Sequence, residues 1–285
     1  DRAKRILQLL DSKSDWDKNA VGEMINDNTS AMAPEMVKKM ISNLNVKSLS
    51  PLENEAILLL KSWKGSNNLN DVAPTIYNKW IYLYLKNTFQ DELGDEKFKQ
   101  FLGTHLMKQI VTRQINNEMS SWWDNVLTKN KKETRNEIVS KSFKDAIMLL
   151  EKQLGSSISE WKWRRVHTVE YQHPIGKVAL LRPFFNAGTF EVSGSNEVIN
   201  NQFFDFAEDG AYKVKGGPSS RRVIDFSDIE NSFGILPTGQ SGNPFSKHYK
   251  DQAELYNAGK FRKMKLNKKD IIQSSTKLVF YPKLN

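Results

Sequence analysis

The sequence predicts an α+β fold with a helical first half and a β-rich second half. Up to about residue 155, apolar residues recur at helical spacing between clear capping signals. Beyond Gly155, turn residues cluster every few positions, and the short runs between them are rich in β-branched and aromatic residues. A hydrophobic fraction of 39% in 285 residues is enough for a sizeable core. The chain therefore divides into a helical region, residues 1–155, and a β-rich region, residues 156–285.

The helices are predicted from apolar stripes and from the residues that begin and end them. Residues 50–53 (Ser-Pro-Leu-Glu) form a strong helix start, because serine caps, proline suits the first turn and glutamate reaches back to the cap amide. Gly65 is expected to end that helix. Residues 134–137 form a second capping box, for a helix that Gly155 stops. The predicted apolar stripes cover residues 6–10, 52–63, 76–84, 102–111 and 143–154.

Short runs of β-forming residues predict the strands of the second half. These strands are expected at residues 166–171, 178–181, 189–192, 212–214, 221–226 and 277–281. No repeat, low-complexity tract or flexible linker separates the two halves. The boundary near Gly155 is therefore interpreted as a change of layer and not as a tethered second domain.

The composition excludes several classes of function. The absence of cysteine excludes disulfides, thiolate metal sites and a cysteine nucleophile. No apolar run approaches the roughly 18–20 residues of a membrane span, and neither a phosphate-binding loop nor a dinucleotide fingerprint occurs. The net charge of +9 is compatible with an anionic partner such as nucleic acid or a membrane surface. Because the lysines are dispersed along the chain, a solvated basic surface is the favoured interpretation and nucleic-acid binding is not expected.

The four histidines do not form a recognisable metal site. His105 lies in a helical run without a ligand-type partner one turn away, and is interpreted as structural or exposed. His167 and His173 flank a predicted strand, and their even spacing places both on one face. A third ligand is missing from this pair, although zinc sites normally use three or four protein ligands. A structural role is therefore favoured for both, and no metal or cofactor is expected.

Ser241 is a candidate nucleophile, with His248 as the nearest base in sequence. The surrounding Gly-Gln-Ser-Gly run differs from the nucleophile elbow of α/β-hydrolases, which needs a strand, a sharp turn and a helix. Pro237 and Pro244 flank the run and predict an extended loop instead. A catalytic Ser241 is therefore the minor alternative.

Several segments resemble the penicillin acylase family of N-terminal-nucleophile hydrolases. Residues 234–252 are similar to a family signature of the form P-x-G-Q-S-G-x-P-x-S-x-H-Y-x-D-Q, and residues 216–225 to G-P-S-x-R-x-V-x-D. Residues 161–174 are similar to W-x-W-G-x-x-H…H, with arginine in place of the usual glycine at position 164. Residues 63–80 are similar to W-D-G…I-F-x-x-W, with lysine in place of the usual aspartate at position 64. The likeness covers essentially the whole chain in the expected order.

This resemblance implies the C-terminal portion of a β chain, contributing strands to an αββα core. The family hydrolyses linear amides, such as a β-lactam side chain or an N-acyl homoserine lactone. Its nucleophile is the serine that begins the β chain, and the serine's own amine is the base. The oxyanion hole, and the ligands of the calcium bound by some members, are expected before the present segment. The resemblance therefore implies no nucleophile and no cofactor in this chain, inactivity of the isolated piece, and partnership with the α chain and the first part of the β chain.

The first residues of the chain are similar to the family's Y-R-A-x-R-I-x-x-L-L. The resemblance implies that Arg2, or alternatively Arg5, positions the nucleophile region or the oxyanion-hole asparagine, since a guanidinium is a rigid fork of donors. With the preceding chain absent, Arg2 is expected to be a frayed terminal residue.

Eight further residues are expected to anchor loops and core rather than to react. They are His167, His173, Gln240, Ser241, His248, Tyr249, Asp251 and Gln252. Relatives are usually periplasmic or secreted, and the sequence itself does not decide the compartment. The alternative function is a stand-alone basic binding or scaffold module without catalysis.

Overall fold

The computed structural model describes residues 1–282. Its first half is helical, as the sequence predicts. The helices are α1 (Arg2–Leu10), α2 (Lys18–Ile25), α3 (Ala33–Ser42), α4 (Pro51–Ser62), α5 (Ala73–Leu102), α6 (His105–Asn116) and α7 (Arg135–Leu154). Within the 30 residues of α5, Gly94 has non-helical dihedrals (φ 70°, ψ 166°) and kinks the helix.

Both predicted capping boxes are confirmed. The Ser50 hydroxyl accepts from the Glu53 amide, and the Glu53 carboxylate accepts from the Ser50 amide. Thr134 and Glu137 make the same reciprocal pair at the start of α7. Each box satisfies backbone donors that the first helical turn leaves free.

Two predicted helix limits are wrong. Helix α4 ends at Ser62, before Gly65. The backbone at Gly65 (φ 92°) instead passes so close to Ser30 that an added Cβ would lie 2.2 Å from the Ser30 carbonyl oxygen. The stripe at residues 102–111 is divided between two helices, because Leu102 ends α5 and the Thr104 side chain caps α6. The spacing of apolar residues alone does not reveal that Thr104, inside that stripe, begins a new helix.

The core of the helical half lies where α5 crosses α7, with α3 and α4 alongside. Trp80 is completely buried, and its ring centroid lies 4.8 Å from that of Phe143 in an edge-on arrangement. The indole N–H of Trp80 donates to the Val139 carbonyl at 3.3 Å. A buried aromatic pair of this kind combines a large apolar area with a favourable ring geometry.

The second half contains two small sheets joined by loops and short helices. The strands are β1 (His167–Glu170), β2 (Thr189–Glu191), β3 (Phe203–Phe204), β4 (Tyr212–Gly216), β5 (Arg221–Val223), β6 (Phe233–Ile235) and β7 (Arg262–Lys263). The first sheet has the order β2-β1-β4-β3, in which β1 and β4 are parallel and the other pairs antiparallel. The second sheet is antiparallel, with the order β5-β6-β7. The short helices are α8 (Arg182–Phe185), α9 (Ala253–Asn257) and α10 (Lys268–Ser274).

The α+β class, helical first and β-rich second, is therefore confirmed, but two predicted strands are wrong. Residues 178–181 form tight turns, in which the Leu181 amide donates to the Val178 carbonyl at 2.9 Å. Prolines at positions 174 and 183 favour these turns over a ladder. Residues 277–281 are exposed and form no strand within the described part of the chain. The strand predicted over residues 221–226 is confirmed only as far as Val223.

Candidate functional site

The candidate site is built around the segment between β2 and β3, residues 192–202, hereafter the 192–202 loop. Its ends come together through a parallel bridge between Ser195 and Asn201. Gly194 (φ 97°) makes the sharp turn, where an added Cβ would lie 2.3 Å from the Asn200 carbonyl oxygen. The Gly194 amide donates to the Asn67 carbonyl at 2.9 Å, which attaches the loop to the helical half.

His167 lies between the two ends of the 192–202 loop and is completely buried. Its Nδ1 is 2.7 Å from the Val192 carbonyl oxygen, and its Nε2 is 3.1 Å from the Gln202 carbonyl oxygen. Burial lowers the pKa of His167 to about 4, and hydrogen bonding to the two carbonyls opposes that fall. The neutral ring carries one N–H, and the shorter contact places it on Nδ1.

Trp163 packs against the same histidine. Its ring is stacked on the imidazole, with centroids 4.6 Å apart and planes 16° apart. The indole N–H donates to the Gly194 carbonyl at 2.9 Å, inside the fully buried part of the loop. Trp163 and His167 therefore hold the loop through two of its backbone carbonyls, those of residues 192 and 194, while Nε2 of His167 lies beside a third, that of residue 202.

The two arginines of α1 are also connected to the 192–202 loop. Arg2 is exposed, yet its Nε donates to the Val198 carbonyl at 3.1 Å. Arg5 binds Asp27 in a two-pronged ion pair, with Nε 3.0 Å from Oδ1 and Nη2 2.7 Å from Oδ2. Hydrogen bonding to Asp27 raises the pKa of Arg5. The Asp27 carbonyl in turn accepts from the Asn200 amide at 2.9 Å.

The expectation of a frayed Arg2 is therefore wrong. The residue lies in the first turn of α1, and its side chain is bonded to a residue 196 positions away. Both Arg2 and Arg5 reach the same loop, one directly and the other through Asp27. Which of them positions a reacting group stays a prediction.

His173 does not share the face of His167. Strand β1 ends at Glu170, and His173 lies beyond it, partly exposed, as the cap of a short turn. Its Nδ1 accepts from the Ile175 amide at 3.2 Å, and its own amide donates to Asn186 at 3.0 Å. The prediction that both histidines lie on one face of a strand is wrong, because β1 contains only four residues and ends before His173.

The Gly-Gln-Ser-Gly run lies in a loop, as predicted, and is paired with the segment that follows it. The Gly239 amide donates to the Tyr249 carbonyl at 2.9 Å, and the Ser241 amide donates to the His248 carbonyl at 3.1 Å. The Tyr249 hydroxyl, on a buried side chain, donates to the Phe185 carbonyl. The buried Gln252 accepts from the Leu236 amide at 3.2 Å, and Gln240 is exposed.

The side chains of Ser241 and His248 are engaged separately. The Ser241 hydroxyl accepts from the Asn243 amide at 3.1 Å. His248 is exposed, and its Nδ1 lies 3.0 Å from Asp251 Oδ2. Among the residues that the structure describes, Ser241 has no hydrogen bond to a histidine, so the geometry gives it no activating base.

Residues 1–282 contain no group of three or more His, Asp or Glu side chains suited to hold a metal ion. Nor does this part of the chain contain a helix long and apolar enough to span a membrane.

Sequence reasoning missed Asp27, Asn67 and Asn200, which connect the two halves at this site. Asn67 is buried and donates to the Asn28 and Gly65 carbonyls at 2.8 and 2.9 Å. These residues lie in segments without periodic pattern, and each has a partner distant in sequence, 22 positions away for Asp27, 39 for Asn67 and 172 for Asn200. A single sequence carries no signal for such pairings.

The profile of the penicillin amidase family matches residues 1–273, and the chain belongs to that family. Among its curated relatives, the acyl-homoserine lactone acylase QuiP of Pseudomonas aeruginosa is 24% identical over 92% of this chain and 34% of that protein. The QuiP protein of Pseudomonas fluorescens is 25% identical over 99% of this chain and 35% of its own length. The chain thus spans about a third of the relatives that it matches.

A solved structure, thermostable penicillin G acylase from Alcaligenes faecalis, is 15% identical to the chain. The two superpose with a TM-score of 0.49 over 98% of this chain and 52% of that one. The family assignment rests on the profile match alone.

Proposed function

We propose that this chain is the C-terminal portion of the β chain of an amide hydrolase, and that it supports a catalytic centre formed by other polypeptide. The complete enzyme adds water across a linear amide and releases a carboxylic acid and an amine. The observation that carries the proposal is the double attachment of α1, through Arg2 and Arg5, to the 192–202 loop. A rigid support of this kind holds reacting groups in place without bond chemistry of its own.

The names of the matched relatives support one substrate class over another. The matched curated relatives carry the name acyl-homoserine lactone acylase, which favours an N-acyl homoserine lactone. The side-chain amide of a β-lactam is the second candidate within the same reaction class. A periplasmic or secreted location fits either substrate and is part of the proposal.

Amide hydrolysis needs a nucleophile, a base and an oxyanion stabiliser close together. In residues 1–282, the Ser–His pair considered from the sequence does not form. We assign the nucleophile to a serine that begins the β chain, with its own amine as base, and we place any calcium site in the same preceding polypeptide. The β-rich half then contributes its strands to an αββα core.

The surface of α1 agrees with a missing neighbour. Half of its apolar stripe is exposed, with Leu7 59% and Leu10 44% exposed, and α1 contains no fully buried residue. An amphipathic helix normally turns such a stripe toward a core. We assign the covering surface to the remainder of the same precursor.

The test uses the longer gene that contains this segment. Arg2→Lys and Arg5→Lys keep the charge but lose the guanidinium fork. If one of them positions the nucleophile region, kcat for an N-acyl homoserine lactone falls by about tenfold to a hundredfold in that variant, because small misplacements of reacting groups are costly. KM and the melting temperature change little.

Arg182→Lys is the matched control, since Arg182 is an exposed arginine paired with Glu170 and remote from α1 in sequence. Unchanged kcat in both α1 variants would remove the positioning role. If kcat and the melting temperature fell together in an α1 variant, the loss of activity would reflect lower stability and not a positioning role.

A further inference from the structure

A large polar cavity lies between α2, α9 and the three-stranded sheet, and the proposed function makes no use of it. Its volume is about 830 Å³, within the range of small-molecule sites. Asparagine is the commonest residue of the lining, which includes Asn19, Asn26, Asn28, Asn200, Asn231 and Asn257. Such side chains offer both donors and acceptors to a polar molecule.

Arg221 lines this cavity with 5% of its surface exposed. Its Nη1 donates to the Tyr256 carbonyl and its Nη2 to the Asn200 side chain, both at 2.7 Å. The guanidinium carbon lies 3.9 Å from the centre of the Tyr256 ring. In residues 1–282 no carboxylate forms an ion pair with it, and its buried Nε has no acceptor. All its partners are neutral, although buried charges are normally paired.

A second buried polar atom on the same cavity also has no partner. The Asn26 amide group donates to the Gly22 and Gly259 carbonyls at 2.9 and 3.1 Å, which fixes its orientation. Its Oδ1 is buried and receives no hydrogen bond from the described residues. Both atoms are too deeply buried to contact a ligand directly, so the cavity wall holds an uncompensated guanidinium charge and an unpaired amide oxygen beneath its surface. Buried polar groups in folded proteins are rarely left so.

The charges around the cavity are mainly positive. The lining contains one carboxylate, that of Glu23, and four cationic side chains, those of Lys18, Arg221, Arg262 and Lys263. The partners of the rim cations lie outside the lining, with Lys18 3.4 Å from Asp228 and Arg262 3.9 Å from Asp251. A concave site lined by charge of one sign concentrates ligands of the opposite sign.

We propose that this cavity binds a small organic carboxylate with hydroxyl or amide substituents. The carboxylate lies against the rim formed by Arg262 and Lys263, close enough to Arg221 to compensate its buried charge. The asparagines hold the polar substituents. The cavity shares Ser193 and Asn200 with the 192–202 loop. The inference does not depend on the proposed amide hydrolysis, because the rim cations Arg262 and Lys263 lie outside that loop.

Isothermal titration of the purified protein with citrate tests the proposal, with trimethyl citrate as the uncharged control. Citrate is expected to bind with a Kd below about 1 mM at low salt, and the ester is expected not to bind. Raising NaCl from about 20 mM to about 300 mM weakens binding, because rim charges are screened. The double variant Arg262→Gln/Lys263→Gln is expected to bind about tenfold more weakly.

The matched control is Lys247→Gln/Lys250→Gln, which removes two exposed lysines that do not line the cavity. This control is expected to bind citrate as the parent does. Arg221→Lys is a further variant that is expected to weaken citrate binding. If this variant does not fold, the comparison of the two double variants decides the result. Absence of citrate binding up to about 10 mM, equal binding of the ester, or equal loss in both double variants would overturn the proposal.

Discussion

The lowered pKa of His167 predicts how the stability of the folded protein changes with pH. Burial lowers its pKa to about 4, whereas an unfolded histidine titrates near 6.5. The folded protein therefore favours the neutral ring, and the unfolded chain takes up the proton first as the pH falls. The contribution of His167 to the unfolding free energy is fully present above pH 6.5. It is lost as the pH falls from 6.5 to the folded pKa near 4.

The size of this loss follows from the shift. At ~1.4 kcal/mol per pKa unit, a depression from 6.5 to about 4 corresponds to about 3 kcal/mol of unfolding free energy. The side chain is completely buried, so solvent screening does not reduce the figure. His167→Gln removes the titrating group and keeps one donor for the Val192 carbonyl.

Urea unfolding followed by tryptophan fluorescence, at about pH 7.5 and about pH 4.5, measures the effect. The parent is expected to lose about 2–3 kcal/mol more than His167→Gln between these conditions. His105→Gln is the control, since His105 is exposed at the start of α6, and it should follow the parent. The reasoning is refuted if acidification affects the parent no more than His167→Gln, or stabilises it. The two carbonyls would then outweigh burial and hold an imidazolium.

Four further predictions follow from the described contacts. Gly155→Ala introduces backbone strain alone, since Gly155 (φ 95°, ψ 169°) faces open space, and should cost about 1–3 kcal/mol in a urea titration. Gly65→Ala should cost more than Gly155→Ala in the same titration, because its new Cβ also meets the Ser30 carbonyl. Trp80→Ala should cost about 3–5 kcal/mol by thermal or urea unfolding, and a loss below about 1 kcal/mol would contradict the core assignment. Arg5→Gln should cost about 1–2 kcal/mol, since its ion pair with Asp27 is only partly exposed, and double-mutant coupling with Asp27→Asn checks the pair. The isolated chain should self-associate through exposed apolar side chains such as Phe245, 87% exposed, and a concentration-independent monomer in analytical ultracentrifugation would contradict this.

The helical half was largely predictable because its signals are local. A capping box uses residues three apart, and an apolar stripe repeats within one turn. The sequence could not predict which face of each helix is buried. Lys79 lies inside the stripe of α5 and is 2% exposed, with its Nζ donating to the Glu208 carbonyl at 2.9 Å. In contrast, no apolar residue of α1 is fully buried, and Leu7 and Leu10 are exposed.

The β-rich half was less predictable because its strands are short. Strands β3 and β7 contain two residues each, too few for an alternating pattern. The run at residues 178–181 has strand-like composition but adopts turns. Its Val178 and Leu180 side chains are 57% and 81% exposed. Composition does not distinguish a buried strand from an exposed apolar turn, because tertiary context decides between them.

The candidate site was only partly predictable. The resemblance to the penicillin acylases singled out Arg2, Arg5 and His167, which the structure places around one loop. It did not assign roles to Asp27 or Asn200, although these residues complete the connection. Their partners are distant in sequence, and hydrogen-bonding side chains in irregular segments carry no periodic signal.

The most direct test of the central claim is a hydrolysis assay on a pure sample of these 285 residues. Mass spectrometry follows the release of free acid from an N-acyl homoserine lactone and from a penicillin side chain. The proposed supporting role predicts no acid above the buffer control, while the longer gene product cleaves at least one of the two amides. Steady turnover by the isolated chain would contradict the claim that the reacting groups lie in other polypeptide.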